Sequence, residues 1–301
     1  MNLRPPTLDD LPALTGFFRS LGQDGTGGAT ACELRNWLES PMFDPAMDFR
    51  IALEGGRIVG WCDVWDQNKV HDRLFLDVRA HPREQATYEA LLAWGTERAE
   101  VLAGGGPAVV RAWGDSRDEA FAAEVGRRGF QPIRHFFRME IDLEQEPPAP
   151  DWPEGILVRT FRPDDAQLVY EANSDAFADH WDFVPLAFEM WEEILLRSTE
   201  FDPTLWFIAE DDGEIAGISL CRSERRPETG HVNILGVRPR WRRRGLGRAL
   251  LLHSFRELRA RGRPKADLGV DAENTTGAVR LYERAGMHVA NRTDSYEKAL
   301  P

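Results

Sequence analysis

Over its second half the chain switches between two hydrophobic patterns. Short aliphatic and β-branched runs, "GILVRTF" from Gly155, "HVNILGVRP" from His231 and "ADLGVD" from Ala266, predict strands, the second stopped by Pro239. "LWFIAEDDGEIAGISLCRS" from Leu205 predicts a hairpin with Asp-Gly near its turn. "PDDAQLVYEANSDAF" and "PLAFEMWEEILLRS" each start with proline and acids, as the first turn of a helix does. Another helix starts near Gly245, sets Leu251, Phe255 and Leu258 on one face and stops at Gly262. "TTGAVRLYERAG" predicts a helix ending at Gly286, and "MHVANRTDSYEKAL" a closing β pair. Strand and helix patterns interleave, so the expected class is α/β (α+β).

The first half carries a faded copy of this order. "LDVRAHPREQATYEALL" from Leu76 aligns without gaps on "LGVRPRWRRRGLGRALL" from Leu235, and "EVGRRGF" from Glu124 on "LYERAGM" from Leu281. A period near 150 residues is too long for a solenoid unit and indicates a duplicated domain. Between the copies, "EQEPPAPDWPE" (Glu144 to Glu154) holds four prolines and four acids with no apolar period. The expected organisation is a first domain over 1–146, a linker over 147–154 and a second domain over 155–301.

Composition narrows the setting. A hydrophobic content of 42% supports real cores, and the net charge of −13 disfavours nucleic acid and anionic membranes as partners. No apolar run approaches the roughly 18 residues of a membrane span, and the N-terminus lacks a signal-peptide pattern. Cys32, Cys62 and Cys221 are odd in number and far apart, which predicts reduced thiols, no metal site and a cytoplasmic location.

Against that acidic background, "RWRRRGLGRALLL" (Arg240 to Leu252) gathers five arginines and two glycines within nine residues. A helix N-terminus leaves backbone N–H groups unpaired at the positive end of its dipole. Gly245 and Gly247 would let phosphate oxygens approach those groups, and Arg242, Arg243, Arg244 and Arg248 would add charge-assisted hydrogen bonds. A diphosphate or phosphorylated nucleotide is the fitting ligand; taken alone, the run equally suits a solvated face. G-x-G-x-x-G and the P-loop motif are absent.

Arg242, Gly245 and Gly247, followed by Asn274, Ala278, Tyr282 and Gly286, resemble the GCN5-related N-acetyltransferase (GNAT) superfamily. There Arg/Gln-x-x-Gly-x-Gly/Ala binds the pyrophosphate of acetyl-CoA, and the Asn…Ala…Tyr-x-x-x-Gly pattern follows. The tandem arrangement resembles mycothiol synthase-like double-domain acetyltransferases. The resemblance implies two GNAT-like domains, each a mixed, mostly antiparallel sheet flanked by helices. It also implies acetyl-CoA as cosubstrate and direct attack by a primary amine of a small molecule or protein, on a monomer or homodimer.

It assigns roles to residues by position. Leu235, Gly236 and Val237 present backbone groups to pantetheine, the Leu235 N–H facing the acetyl oxygen; Leu246 belongs to the phosphate-binding turn. Tyr282 is the proton donor to the leaving thiolate. Where the family often has a glutamate base, this chain has His231, which titrates near neutrality. Asn233 shares its face by strand alternation and would contact the acceptor. In "DAFADHWDF" from Asp175, His180 and Asp182 are acceptor-binding or alternative-base candidates, whereas Trp181 and Phe183 suit helix packing. In the first half, Gly245 becomes Ala86, Gly247 becomes Tyr88, and Arg243 and Arg244 become Glu84 and Gln85, while Val125 stands for Tyr282. One working site is expected, in the second domain; the rival is a noncatalytic acyl-CoA-binding module.

Overall fold

The structure, a computed structural model, describes residues 1–22, 29, 31–40, 43–66, 69–82, 84–198, 200–226 and 228–301. In chain order come β1 (Asn2–Arg4), α1 (Leu11–Gly22), α2 (Ala31–Glu39), α3 (Pro45–Asp48), β2 (Phe49–Glu54), β3 (Arg57–Trp65), β4 (Arg73–Ala80), α4 (Gln85–Ala103), β5 (Val109–Asp115), α5 (Glu119–Arg127) and β6 (Gln131–Asp142). They are followed by β7 (Ile156–Thr160), α6 (Ala166–Phe177), α7 (Phe188–Leu195), β8 (Trp206–Asp211), β9 (Glu214–Arg226), β10 (Thr229–Val237), α8 (Leu246–Ala260), β11 (Lys265–Asp271), α9 (Ala278–Arg284) and β12 (His288–Ala299).

These elements form two units, and the first is not a continuous stretch of chain. One comprises Met1–Phe136 with Asn291–Pro301, the other Phe137–Ala290. In the first the strand order is β1-β2-β3-β4-β5-β12, with β4·β5 parallel and the other pairs antiparallel. In the second it is β6-β11-β10-β9-β8-β7, where β10·β11 is parallel and β7·β8, β8·β9 and β9·β10 are antiparallel. Each unit is therefore a mixed, mostly antiparallel sheet with helices on its faces.

Two expectations need correction. "MHVANRTDSYEKAL" is no β pair: His288–Ala299 is a single strand, and Thr293–Ala299 run antiparallel to Asp115–Val109 of β5. Its polar residues look like a turn, but the β5 edge supplies seven ladder positions and keeps the chain extended. The proline-rich stretch is not where the units divide. It lies on the second unit, where the Pro147 carbonyl accepts from Arg256 Nη1 at 2.8 Å and Trp152 meets the His253 ring at 5.7 Å.

Strand alternation builds the second unit's core in two layers. Along β8, Trp206 and Ile208 face α6 and α7, joining Val169, Ala172 and Trp191. Phe207 and Ala209 point the other way, joining Leu250, Leu251, Phe255 and Leu258 of α8. The β8–β9 hairpin turns at Asp212-Gly213 with both residues at positive φ, as a tight hairpin requires. In the first unit α4 covers Val64, Leu76 and Val110, and α1 and α2 cover Phe49, Ile51 and Trp61.

Candidate functional site

Strands β10 and β11 pair for only three residues. Thr229, Gly230 and His231 oppose Lys265, Ala266 and Asp267, and the pairing ends there although β10 runs on to Val237 and β11 to Asp271. On its other edge β10 stays paired with β9, and one extra residue, Asn233, bulges between Val232↔Cys221 and Ile234↔Leu220. The bulge turns the strand's twist away from β11 and leaves the backbone of Leu235, Gly236 and Val237 without a partner strand on that side. All three lie on β10, in the strand that the hydrophobic run predicts. The same bulge breaks the alternation that would have set Asn233 on the His231 face, so that expectation rested on a regularity the strand lacks.

Gly236 has a further reason to be glycine: a Cβ there would come within 2.9 Å of the Ala176 Cβ on α6. Helix and strand touch at backbone distance, which fixes the wall next to the opening.

Past β10 the chain turns into α8. Gly245 caps the helix at φ +88 and opens onto free space, and the first intrahelical bond is Ala249 N–H to the Gly245 carbonyl at 3.1 Å. The amides of Leu246, Gly247 and Arg248 precede that bond and form the unpaired first turn. A Cβ on Gly247 would point at Leu281 and Val237, 3.4 and 3.6 Å away, in the gap between the end of β10 and α9. The Leu246 side chain is buried in the core, so only its backbone can face a ligand.

The arginines divide into two sets. Arg242 bonds the Val237 carbonyl (3.2 Å), the Ala176 carbonyl (3.1 Å) and Asp179 (2.6 Å). Arg238 clasps Asp175 through Nε at 2.8 Å and Nη2 at 2.6 Å, and Arg244 reaches Asp211, which also accepts from Trp241 Nε1 at 2.7 Å. Arg240 pairs with Glu214. Arg243 and Arg248 are exposed and find no acceptor among the described residues. The paired arginines shape the turn; these two are available to a phosphate. Asp175 and Asp179 repeat the four-residue spacing of Arg238 and Arg242, a signal that was visible in the sequence and unused.

Tyr282, on α9, is buried in the core around α8, and burial pushes its pKa up to about 12. Its hydroxyl has no hydrogen-bond partner among the described residues. Ala278 opens α9 and packs on the same core. Asn274 folds its loop by accepting from Thr276 N–H at 2.8 Å, and its Nδ2 lies 3.4 Å from His180 Nε2. Burial lowers the pKa of His180, so its ring is neutral at neutral pH and can accept from Asn274. The segment after α6 and the loop before α9 thus meet. Asp182 stands at φ +60 in that loop. Phe183 packs on Phe177 in a tilted ring contact, whereas Trp181 is 40% exposed, more open than a packing residue.

His231 lies at the vertex where β10 and β11 part. Its Nδ1 is 2.6 Å from Asp267 Oδ1, with both side chains buried. Asp267 was missed, because "ADLGVD" reads as a bare strand and no local spacing links it to a histidine 36 positions earlier.

The first unit keeps the divergence and closes the turn. Its β4·β5 pairing stops at Leu76↔Ala112 while β4 continues to Ala80. Tyr88, matching Gly247, is buried; its hydroxyl donates to Asp118 Oδ2 at 2.5 Å and lies 3.1 Å from the Ala80 carbonyl at the strand's end. The phenol occupies the gap between strand end and helix. Among the described residues no helix is long and apolar enough to cross a membrane, and no group of three or more His, Cys, Asp or Glu side chains is placed to hold a metal ion.

Comparison with known proteins adds four findings. The model of the Acetyltransferase (GNAT) family matches residues 166–287, from the start of α6 to just past α9. A mycothiol acetyltransferase of Streptomyces coelicolor is 32% identical over 94% of this chain and 88% of its own length. The crystal structure of a GCN5-related N-acetyltransferase from Sphaerobacter thermophilus is 32% identical and superposes with a TM-score of 0.81 over 99% of this chain and 95% of that one. A tandem GNAT protein from the clavulanic acid biosynthesis pathway shares the fold at 17% identity, with a TM-score of 0.74 over 99% and 98% of the two chains.

Proposed function

The chain belongs to the GNAT acetyltransferase family, and from that premise we propose that it transfers acetyl from acetyl-CoA directly to a primary amine at one site, in the unit 137–290. The observation that carries this reading is the parting of β10 from β11 at His231, aimed at an α8 N-terminus that holds two unpaired arginines.

The residues fit the cosubstrate. The first-turn amides of Leu246, Gly247 and Arg248, with Arg243 and Arg248, suit its diphosphate. Arg242 and Arg244 hold the turn in shape. The free edge of Leu235, Gly236 and Val237 suits pantetheine, with Asn274 and Ala278 on the opposite wall. Acetyl-CoA supplies an activated acyl thioester; the remaining chemistry falls to the chain.

In that chemistry a C–N bond forms, the C–S bond breaks, the amine loses a proton and the thiolate gains one. The Leu235 N–H donates to the acetyl oxygen as negative charge develops there. Tyr282, kept protonated by burial, gives its proton to the departing sulfur. His231 takes the amine's proton, directly or through water. His180 and Asp182 hold the acceptor.

The Streptomyces coelicolor relative is a mycothiol acetyltransferase, and a mycothiol-related amine is accordingly the first acceptor to test. Acetyl transfer measured as thiol release over a panel of primary amines checks the reading. Amine-dependent CoA release that disappears in Gly247→Tyr is the expected result. Acetyl-CoA binding without transfer to any amine would support the noncatalytic module instead.

A further inference from the structure

We infer that Asp267 is a positioning residue, holding His231 in the tautomer protonated at Nδ1 so that Nε2 faces the amine as proton acceptor. The inference rests on the reading of His231 as base and extends it to the residue that makes a histidine effective there.

The backbone brings the two together. His231 and Asp267 are the last residues paired before the strands part, so their side chains leave the sheet on one face at its vertex. The contact is 2.6 Å, Asp267 has no solvent exposure and His231 is 4% exposed. An ionised carboxylate only accepts, so the imidazole nitrogen facing it carries the hydrogen. That leaves Nε2 with its lone pair four residues before the Leu235 amide.

The neighbours support a charge-stabilising role. The register sets Arg222 of β9 opposite His231, and Arg222 donates to Glu200 Oε2 at 2.6 Å. Glu200 thus neutralises the guanidinium that faces His231 across β9, and Asp267 on β11 is the carboxylate left to the imidazole. Helix α6, packed on β10, brings Asp175, and the turn after it brings Asp179, each already bound to an arginine. When Nε2 takes a proton, the buried imidazolium meets a carboxylate at contact distance, not an apolar interior. A carboxylate at this distance favours the charged imidazole over the neutral one.

The test uses the full chain. In its ¹⁵N spectrum, with the His231 signals assigned by comparison with His231→Gln, the neutral ring is expected as the Nδ1–H form; an Nε2–H ring would overturn the inference without any variant being needed. Asp267→Asn keeps the volume and offers an N–H to the ring, favouring the wrong tautomer, a change that lowers kcat about 10⁴-fold in the serine protease triad. The expected loss here is about 10²-fold in kcat, the scale of one general base. KM for both substrates should stay within about a factor of two, and the acidic limb of the kcat profile should move to lower pH. Unchanged kcat and an unmoved limb in a folded Asp267→Asn, while His231→Gln is impaired, would overturn this inference alone. Full activity in His231→Gln would remove the base reading and the inference together.

Discussion

Arg242 and Arg243 adjoin in the sequence and separate in role. Arg242 ties two backbone carbonyls on different elements, whereas Arg243 extends into solvent. Arg243→Ala should weaken acetyl-CoA by about 1.5–3 kcal/mol, the range for hydrogen bonds to charged groups, and by less at high salt. Its melting temperature should not move. Arg242→Ala should lower affinity and melting temperature together, because unpaired carbonyls of Ala176 and Val237 remain. Calorimetric titration with parallel melting curves separates the two; a stable Arg242→Ala with intact affinity would return that residue to the surface. For Tyr282→Phe the expected outcome is a kcat lower by roughly 10²-fold with unchanged acetyl-CoA affinity. The pKa pushed up to about 12 sets a sign on the pH profile: an acid is active while protonated, so Tyr282 gives no falling limb until pH approaches 12. A loss of kcat near pH 8 assignable to this tyrosine would contradict it. At this scale the motif positions were legible because residue type and spacing carry them. The division of labour among the arginines and the Asp267 partner were not, since both depend on which side chains the fold brings within 3 Å.

Strands and helices were legible where local chemistry decides them: the Asp212-Gly213 turn, the Pro239 stop and the α8 face of Leu251, Phe255 and Leu258 all stand as read. What escaped were features set by distant partners. The Asn233 bulge exists because β9 offers one residue fewer than β10 over that stretch, and β12 stays straight because β5 has an edge to fill. The closeness of α6 to β10 at Gly236 tests how much the opening depends on element packing. Gly236→Val puts a branched side chain within reach of Ala176 and Phe177. It should destabilise the protein by about 1–3 kcal/mol, the usual penalty for overpacking, and lower transfer more than acetyl-CoA affinity. Denaturant melts checked against kcat read both, and a neutral Gly236→Val would show that α6 yields without consequence.

For the whole molecule, the duplication was legible from the aligned copies, while the exchange of chain ends was not. The first unit takes its last strand from Asn291–Ala299, so it is not encoded by its first 136 residues alone. A fragment of residues 1–146 should fail to give a cooperative melt, and adding residues 291–301 through a flexible linker should restore one; a stable 1–146 would show that β5 tolerates an open edge. The two units differ at one matched pair beside the helix start, Gly247 and Tyr88. The central claim is that a phosphate site survives where glycine stands and is closed where tyrosine stands. Calorimetric titration of acetyl-CoA into the wild-type chain and into Gly247→Tyr tests it most directly. One site per chain is expected in the first and none in the second, with the fold of the variant retained by circular dichroism. Two equivalent sites in the wild type, or undiminished binding to a folded Gly247→Tyr, would contradict it.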